Sequence, residues 1–367
     1  MLRKKLAVIG AGTAGLIAAK RAAELGVDTT VYEQKPRKGA RVNASGIISL
    51  SGLNALGIDY GSAVTNRLAG ADIHAGGRVL SVRADGIIAN VLDRMKLNEI
   101  CHDEATAGGA QMRMGQRVGA SELEELAQDS VMIGADGVVS SVARHFSMGR
   151  IRRHVLTYKQ EFNVDIKDPE IVNLFFDNTL APGLFGWTCP NSIDILEVGI
   201  GVDSRFGNSA RAMSAFLKRK EIADMIDGGK SLGGGASMIP MSLRERISDK
   251  RGAMLVGDAA GQVKATTGGG IVFGGHGGRL AAEITAEHMA SGVAITDYSR
   301  RYVSRYGRDL ALHSVINRFY SGISTESLGR MIALAKFLGA EGFLHKYGDM
   351  DKPSLMVKRF FLRALSD

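Results

Sequence analysis

The stretch that most constrains this chain is LAVIGAGTAGLIAAKRAAELGVDTTVYE, residues 6 to 33. Leu6 to Ile9 is an unbroken apolar run of the kind that forms a buried parallel strand. Gly10-Ala11-Gly12-Thr13-Ala14-Gly15 follows at once, and Leu16 to Leu25 has the apolar spacing of a helix. In such a strand-turn-helix, Gly10 suits the tight turn, Gly12 removes a side chain where a pyrophosphate approaches the backbone, and Gly15 lets helix and strand pack closely. The helix N-terminus then turns free N–H groups and about half a positive charge toward the phosphates. A second apolar strand, Thr29 to Tyr32, ends at Glu33, the distance at which an acidic residue accepts hydrogen bonds from a ribose diol. The expectation is a dinucleotide-binding unit. An ordinary glycine-rich turn would explain the glycines but not the strand, helix and acid together.

The rest of the chain adds strands that return to glycine-rich turns. Val131-Met132-Ile133-Gly134-Ala135-Asp136-Gly137 is one, and Ala253-Met254-Leu255-Val256 leads into another, Gly257-Asp258-Ala259-Ala260-Gly261, followed by Thr267-Gly268-Gly269-Gly270-Ile271. Between them, residues 150 to 246 read as strand runs such as Ile193 to Val202 with one helix near Ser209 to Asp227. The fold class is therefore α/β: a Rossmann-like cofactor domain, residues 1–150 and 247–300 with a sheet insertion near 64–90, interleaved with an antiparallel-sheet substrate domain, 151–246, and a helical C-terminal region, 301–367.

Composition bounds the function. A chain of 367 residues is long enough for two domains and a large core. Its two cysteines, Cys101 and Cys189, cannot make a disulfide framework or an iron–sulfur site, and no metal-ligand cluster stands out, so electrons must come through an organic cofactor. The expected location is cytoplasmic, with no signal peptide and no run of 18 apolar residues to span a bilayer. A net charge of +8 suggests an anionic partner, with a generally basic surface as the plain alternative. No nucleic-acid motif is present, and no nucleic acid is expected as partner.

The order of GxGxxG, a central Gly-Ala-Asp-Gly and a late Gly-Asp-Ala-Ala-Gly, over residues 1 to about 300, resembles the FAD-dependent family built on the para-hydroxybenzoate hydroxylase plan. The resemblance implies FAD as cofactor, held by Gly10, Gly12, Ala14, Gly15, Glu33, the loop residues Asn43, Ala44 and Gly46, Arg94, Val118, Asp258, Gly270 and Ile271. An ionised Asp258 would accept hydrogen bonds from ribityl hydroxyls. The glycine run 268 to 270, opening a helix, would present N–H groups to the O2 edge of the isoalloxazine.

Within that plan, Phe185-Gly186-Trp187-Thr188-Cys189-Pro190, then Gly199-Ile200-Gly201, resembles the signature of the geranylgeranyl reductase family, in which an aromatic, Trp, Pro and Gly-x-Gly line a prenyl channel above the flavin. Phe185, Trp187, Pro190, Gly199 and Gly201 are thus expected as channel wall. Aromatic rings give a long isoprenoid a rigid apolar surface at low entropic cost, although same-face strand residues simply filling core would show the same pattern. Asp93-Arg94 before Leu97 and Val-Lys-Ala-Thr-Thr-Gly-Gly-Gly-Ile, 263 to 271, also match. Two departures are Cys189, where the family usually has Phe, and Asn43-Ala44-Ser45-Gly46, where many archaeal reductases have a cysteine.

The resemblance implies saturation of isoprenoid double bonds on archaeal-type glycerophospholipids, with hydride from flavin N5 to one alkene carbon and a proton to the other in a dry site. No catalytic residue can be assigned; His276 beside the glycine run is a candidate proton source, with a structural hydrogen-bonding role as its alternative. Reducing equivalents would come from an external donor: ferredoxin, a deazaflavin or NAD(P)H. The segment 352 to 365, KPSLMVKRFFLRAL, is amphipathic and basic and would touch the inner face of the membrane, or else dock on its own domain. The competing functions are a flavin monooxygenase or halogenase-like enzyme on another hydrophobic substrate, and a non-catalytic flavin or lipid binder.

Overall fold

The computed structural model describes residues 5–39 and 43–364, with side chains to residue 359. The strands are β1 (Lys5–Ile9), β2 (Asp28–Glu33), β3 (Ile47–Ser49), β4 (Val64–Leu68), β5 (Gly70–Ala75), β6 (Arg78–Arg83), β7 (Ala89–Leu92), β8 (Gln111–Met114), β9 (Ser130–Gly134), β10 (His154–Asn163), β11 (Ile171–Phe175), β12 (Gly186–Pro190), β13 (Ile195–Asp203), β14 (Lys230–Pro240), β15 (Ser248–Asp249) and β16 (Ala253–Leu255). The helices are α1 (Thr13–Glu24), α2 (Leu50–Leu56), α3 (Arg94–Ala107), α4 (Ala120–Asp129), α5 (Ser141–His145), α6 (Ser209–Phe216), α7 (Lys220–Met225), α8 (Ile271–Ser291), α9 (Asp297–Ser321), α10 (Thr325–Phe337), α11 (Ala340–Tyr347) and α12 (Pro353–Ala364).

Apolar runs without alternation build the first sheet, ordered β15-β16-β9-β1-β2-β8 and parallel except at β15. Parallel strands are covered on both faces, which is why Leu6, Val8, Val131 and Ile133 all need to be apolar, and all are at most 1 % exposed. α1 and α8 pack closely against each other. A Cβ on Gly278 would lie 2.3 Å from the Ala14 carbonyl oxygen, so a bare glycine permits the contact. That packing carries the N-terminus of α8 from the far end of the sequence to the first glycine turn.

The second sheet has seven strands in the order β14-β10-β13-β12-β11-β5-β6. It is antiparallel apart from one parallel pair, β5 with β11, because β5 and β6 arrive from the stretch 70–83 and join its edge. The flanking strands β4 and β7 pair instead with each other, and β7 with β3, in a small antiparallel sheet ordered β3-β7-β4, so the stretch near 64–90 divides between two sheets. The region from Ser209 to Asp227 forms two short helices, α6 and α7, rather than one. They cover one face of the large sheet with Met213, Phe216 and Ile222, each at most 2 % exposed and each worth about 1.5–3 kcal/mol of burial. The opposite face looks into the cavity described below.

The C-terminal helices α10 and α11 lean on β5 and β6, and α12 lies against α9. Among the described residues no helix is long and apolar enough to cross a membrane.

Candidate active site

The first turn is built as its glycines require. Gly10 has φ +105°, and a Cβ there would stand 2.4 Å from the Ala135 carbonyl oxygen, while one on Gly15 would stand 2.3 Å from the Gly10 oxygen. Gly12 differs: nothing lies within 4 Å of its missing Cβ, and it caps α1 with free space in front of it. Space kept clear at a helix N-terminus is where an anion approaches. Glu33 sits at the end of β2 with one oxygen accepting the Ala11 N–H and the other the Lys35 N–H, both at 2.8 Å. Each carboxylate oxygen keeps a further lone pair for a ligand hydroxyl.

The late motif meets this turn from the other side. A Cβ on Gly257 would lie 3.1 Å from the Ala14 side chain. Asp258 lines the cavity; desolvation there pushes its carboxyl above the usual value, with Arg94 pulling the other way. Arg94 follows the N-cap Asp93 of α3, and burial lowers its basicity against the opposing pull of Asp258. Its Nη1 donates to the Ser45 carbonyl at 3.3 Å, while its Nε and the Ser45 hydroxyl have no partner although both are buried. Asn43 rests on β14, where Gly235 clears the room for it. Asn43, Ala44, Val118, Gly270 and Ile271 line the same cavity as Gly10, Gly12, Ala14, Gly15, Glu33, Arg94 and Asp258. Gly46 does not: it lies under β7, where a Cβ would stand 2.1 Å from the Leu92 carbonyl oxygen.

The wall opposite belongs to the large sheet. Phe185 and Trp187 line the cavity, their rings edge to face at 6.3 Å. Pro190, Gly199 and Gly201 do not, which corrects their reading as channel wall. A Cβ on Gly199 would stand 2.1 Å from the Trp187 indole, and one on Gly201 would stand 2.4 Å from Leu184, so these glycines are bare because the side chains of the wall lie across them. Pro190 lies at the buried end of β12, its carbonyl accepting from Asn66.

Nor is the wall wholly apolar. Trp187 Nε1 donates to Glu197 Oε1 at 2.8 Å, and Nζ of Lys159, which lines the cavity, sits 2.7 Å from the other oxygen of the fully buried Glu197. Burial by itself lowers the Lys159 pKa, but Glu197, together with Glu161 at 3.2 Å, outweighs it and the net shift is upward. A charged residue inside the apolar run Ile195–Val202 is the sequence signal for this pair. Lys264 and Asp351, a second buried pair beside the glycine run, had no such signal on the Asp351 side. His276 does not line the cavity; it stacks on Tyr306 at 5.1 Å, and burial together with Arg279 lowers its pKa.

All these surfaces enclose one cavity of about 1940 Å³. Pockets for single small ligands run to ~1,000 Å³, so there is room for a dinucleotide and a second large molecule. The donors fit FAD. The clear space before Gly12, the free lone pairs of Glu33, the unpartnered Arg94 Nε and the glycine-lined N-terminus of α8 are what a diphosphate, ribose and flavin require.

Comparison with known proteins agrees. Residues 5–80 match the family model described as FAD binding domain. The chain is an FAD-dependent oxidoreductase. This flavoprotein is 27 % identical to the digeranylgeranylglycerophospholipid reductase of Methanothrix thermoacetophila, over 90 % of its own length and 91 % of the relative's. It is 28 % identical to the enzyme of that name from Methanosarcina acetivorans, with 88 % and 86 % covered. Among solved structures, a geranylgeranyl bacteriochlorophyll reductase-like protein from Thermoplasma acidophilum superposes with a TM-score of 0.79 at 22 % identity, covering 90 % of both chains. A flavin-dependent brominase superposes with 0.71 at 15 % identity, covering 99 % of this chain and all of the other.

Proposed function

We propose that this flavoprotein saturates double bonds of geranylgeranyl chains carried on glycerophospholipid precursors. The observation that carries the reading is an apolar stripe across four neighbouring strands of the large sheet. Trp187, Leu174 and Ile73 are cross-strand neighbours in one row; Val172, Ala71 and Val82 form the next, and all six line the cavity. Four strands span ~15 Å at the usual spacing, a surface suited to an extended hydrocarbon rather than to a compact polar substrate. The curated relatives bear names that specify a digeranylgeranyl lipid.

FAD, when bound and reduced, supplies the hydride for one alkene carbon. The chain's residues hold the lipid on the stripe and exclude water from it. Lys159, kept charged by Glu197 and Glu161, lines the cavity beside the Trp187 row and is the cationic proton-bearing group of that wall, the candidate source for the other carbon. Electrons reach the cofactor from an external carrier, ferredoxin, a deazaflavin or a nicotinamide. The substrate comes from a membrane that α12 touches peripherally. Of that helix, Leu355, Val357, Lys358 and Arg359 are exposed, although it also docks on α9 through the Ser354 N–H to Asp309; Phe360, Phe361, Arg363 and Leu365 lie outside the described side chains.

Lipid mass spectrometry of a host that makes geranylgeranyl lipids and is given this gene tests the reading: the expected result is a gain of two hydrogens per reduced bond, and unchanged lipids in a host with a reducing donor would refute it. The structural likeness to the brominase favours one other reading, a monooxygenase or halogenase-like reaction. Substrate-dependent oxygen consumption separates the two, since the reductase forms product anaerobically.

A further inference from the structure

A buried ion pair, Lys264 with Asp351, lies beside the glycine run 268 to 270. Asp351 comes from the segment between α11 and α12, yet its side chain is only 6 % exposed, and its Oδ1 lies 2.5 Å from Nζ of Lys264, also 6 % exposed. Its Oδ2 receives the hydroxyl of Ser49, which ends β3 and caps α2 by accepting the Gly52 N–H at 3.2 Å. Gly52 is cleared for it: a Cβ there would stand 2.7 Å from Asp351 Oδ2 and 2.5 Å from both Ser49 Oγ and Val272. Burial by itself raises the Asp351 pKa, but Lys264 and Ser49 outweigh it and hold the carboxyl below its usual value. His313 lies nearby with its Nδ1 2.7 Å from Thr266 Oγ1; burial, with Lys264, pushes it down to about 4, so it adds no second cation at neutral pH.

The cluster sits at the cofactor end of the cavity. Lys264, Ser49, Gly268, Gly269 and Gly270 line it together, and Lys264 Cε lies 2.9 Å from where a Cβ on Gly269 would stand. The glycine run leads into α8, whose N-terminal N–H groups and dipole already make this end positive. Stability alone gives little reason for the pair, because desolvating two charges offsets most of their attraction and apolar residues of similar volume would serve as well.

We propose that Asp351 is a positioning residue: it holds the Lys264 ammonium beside the Gly268–Gly270 turn, so that a fixed positive charge faces the flavin end of the cavity and favours the more negative, reduced cofactor. Charge fixed near a cofactor ring is the means by which a protein tunes its electronics. The inference requires FAD in the cavity and is independent of the prenyl-lipid reading.

The test is the midpoint potential of the FAD-loaded protein, measured by reductive titration against a reference dye, with a thermal unfolding curve for each variant. Lys264→Met and Asp351→Asn are each expected to lower the potential by about 30 mV or more, which for a two-electron couple is a tenfold loss of preference for the reduced form. Asp351→Glu, which restores the carboxylate, is expected to recover most of it. A lower unfolding temperature with an unchanged potential in Lys264→Met would reduce the pair to a structural tie and overturn the proposal. A raised potential in Asp351→Asn would also overturn it, by showing the carboxylate to be a counter-charge rather than a positioner. If Asp351→Asn loses its flavin, Lys264→Met and Asp351→Glu decide the question.

Discussion

Glycine does opposite work at the two ends of this cavity. At the nucleotide end, Gly10 and Gly15 are bare because the turn and the neighbouring strand close over them, which leaves the space in front of Gly12 to no protein atom. On the large sheet, Gly199 and Gly201 are bare because protein side chains, Trp187 and Leu184, lie over them. Gly12 makes room for something that arrives; Gly199 and Gly201 make room for the wall against which it rests. Substitutions at the two ends should therefore separate cofactor binding from wall geometry.

The largest effect is expected for Gly10→Val. Its φ of +105° and the 2.4 Å approach to Ala135 combine backbone strain with overpacking, each costing about 1–3 kcal/mol. Thermal unfolding and flavin content of the purified protein should both fall; a stable, flavin-replete variant would show that the turn is not closed as described.

Next in size is a pH effect from the region that ties the two ends together. His313 on α9 is buried and pushed from 6.5 to about 4. A group whose folded pKa is depressed contributes stability that is fully present above its unfolded value and is lost as pH falls, here between 6.5 and about 4. The full loss is about 3 kcal/mol, from 1.36 kcal/mol per unit. Denaturant unfolding across that window should show the decline, and His313→Gln should flatten it. An equal slope in the variant would assign the decline to other groups.

Gly199→Ala should cost about 1–3 kcal/mol by pushing the indole away while leaving FAD stoichiometry intact. Because Trp187 is the sole tryptophan, its fluorescence reports the displacement directly. Unaltered emission would place the ring elsewhere. Gly12→Ala should be the quietest in the unfolding of the flavin-free protein, within ~0.5 kcal/mol, yet should weaken FAD binding about tenfold or more through a clash present only in the complex. Unchanged affinity would mean that the diphosphate does not approach there.

The same contrast explains what the sequence made legible. The first turn, Glu33 and Asp258 lie in short motifs whose spacing is set by one strand, one turn and one helix, so chain order suffices to find them. Trp187 was legible as a residue, but its support was not. Gly199 and Glu197 meet it across a strand pair, and that register depends on a sheet whose edge is supplied by residues 70–83. Gly199 and Gly201 looked like wall because they share a motif with it, whereas packing puts them behind it. Lys159 was hidden for the same reason, and Asp351 more so, since no local pattern links it to a lysine 87 residues earlier. Fold and cofactor follow from local runs; the wall and its charges depend on long-range pairing.

The central claim is that one cavity brings reduced FAD and a prenyl chain together. Its most direct test is a single anaerobic turnover: the FAD-loaded protein is reduced with dithionite, excess reductant is removed, and a digeranylgeranyl glycerophospholipid is added in detergent while the visible flavin spectrum and the lipid mass are followed. The account predicts reoxidation in step with lipid addition, one saturated double bond per flavin. Flavin that stays reduced until oxygen is admitted, with the lipid mass unchanged, would contradict it.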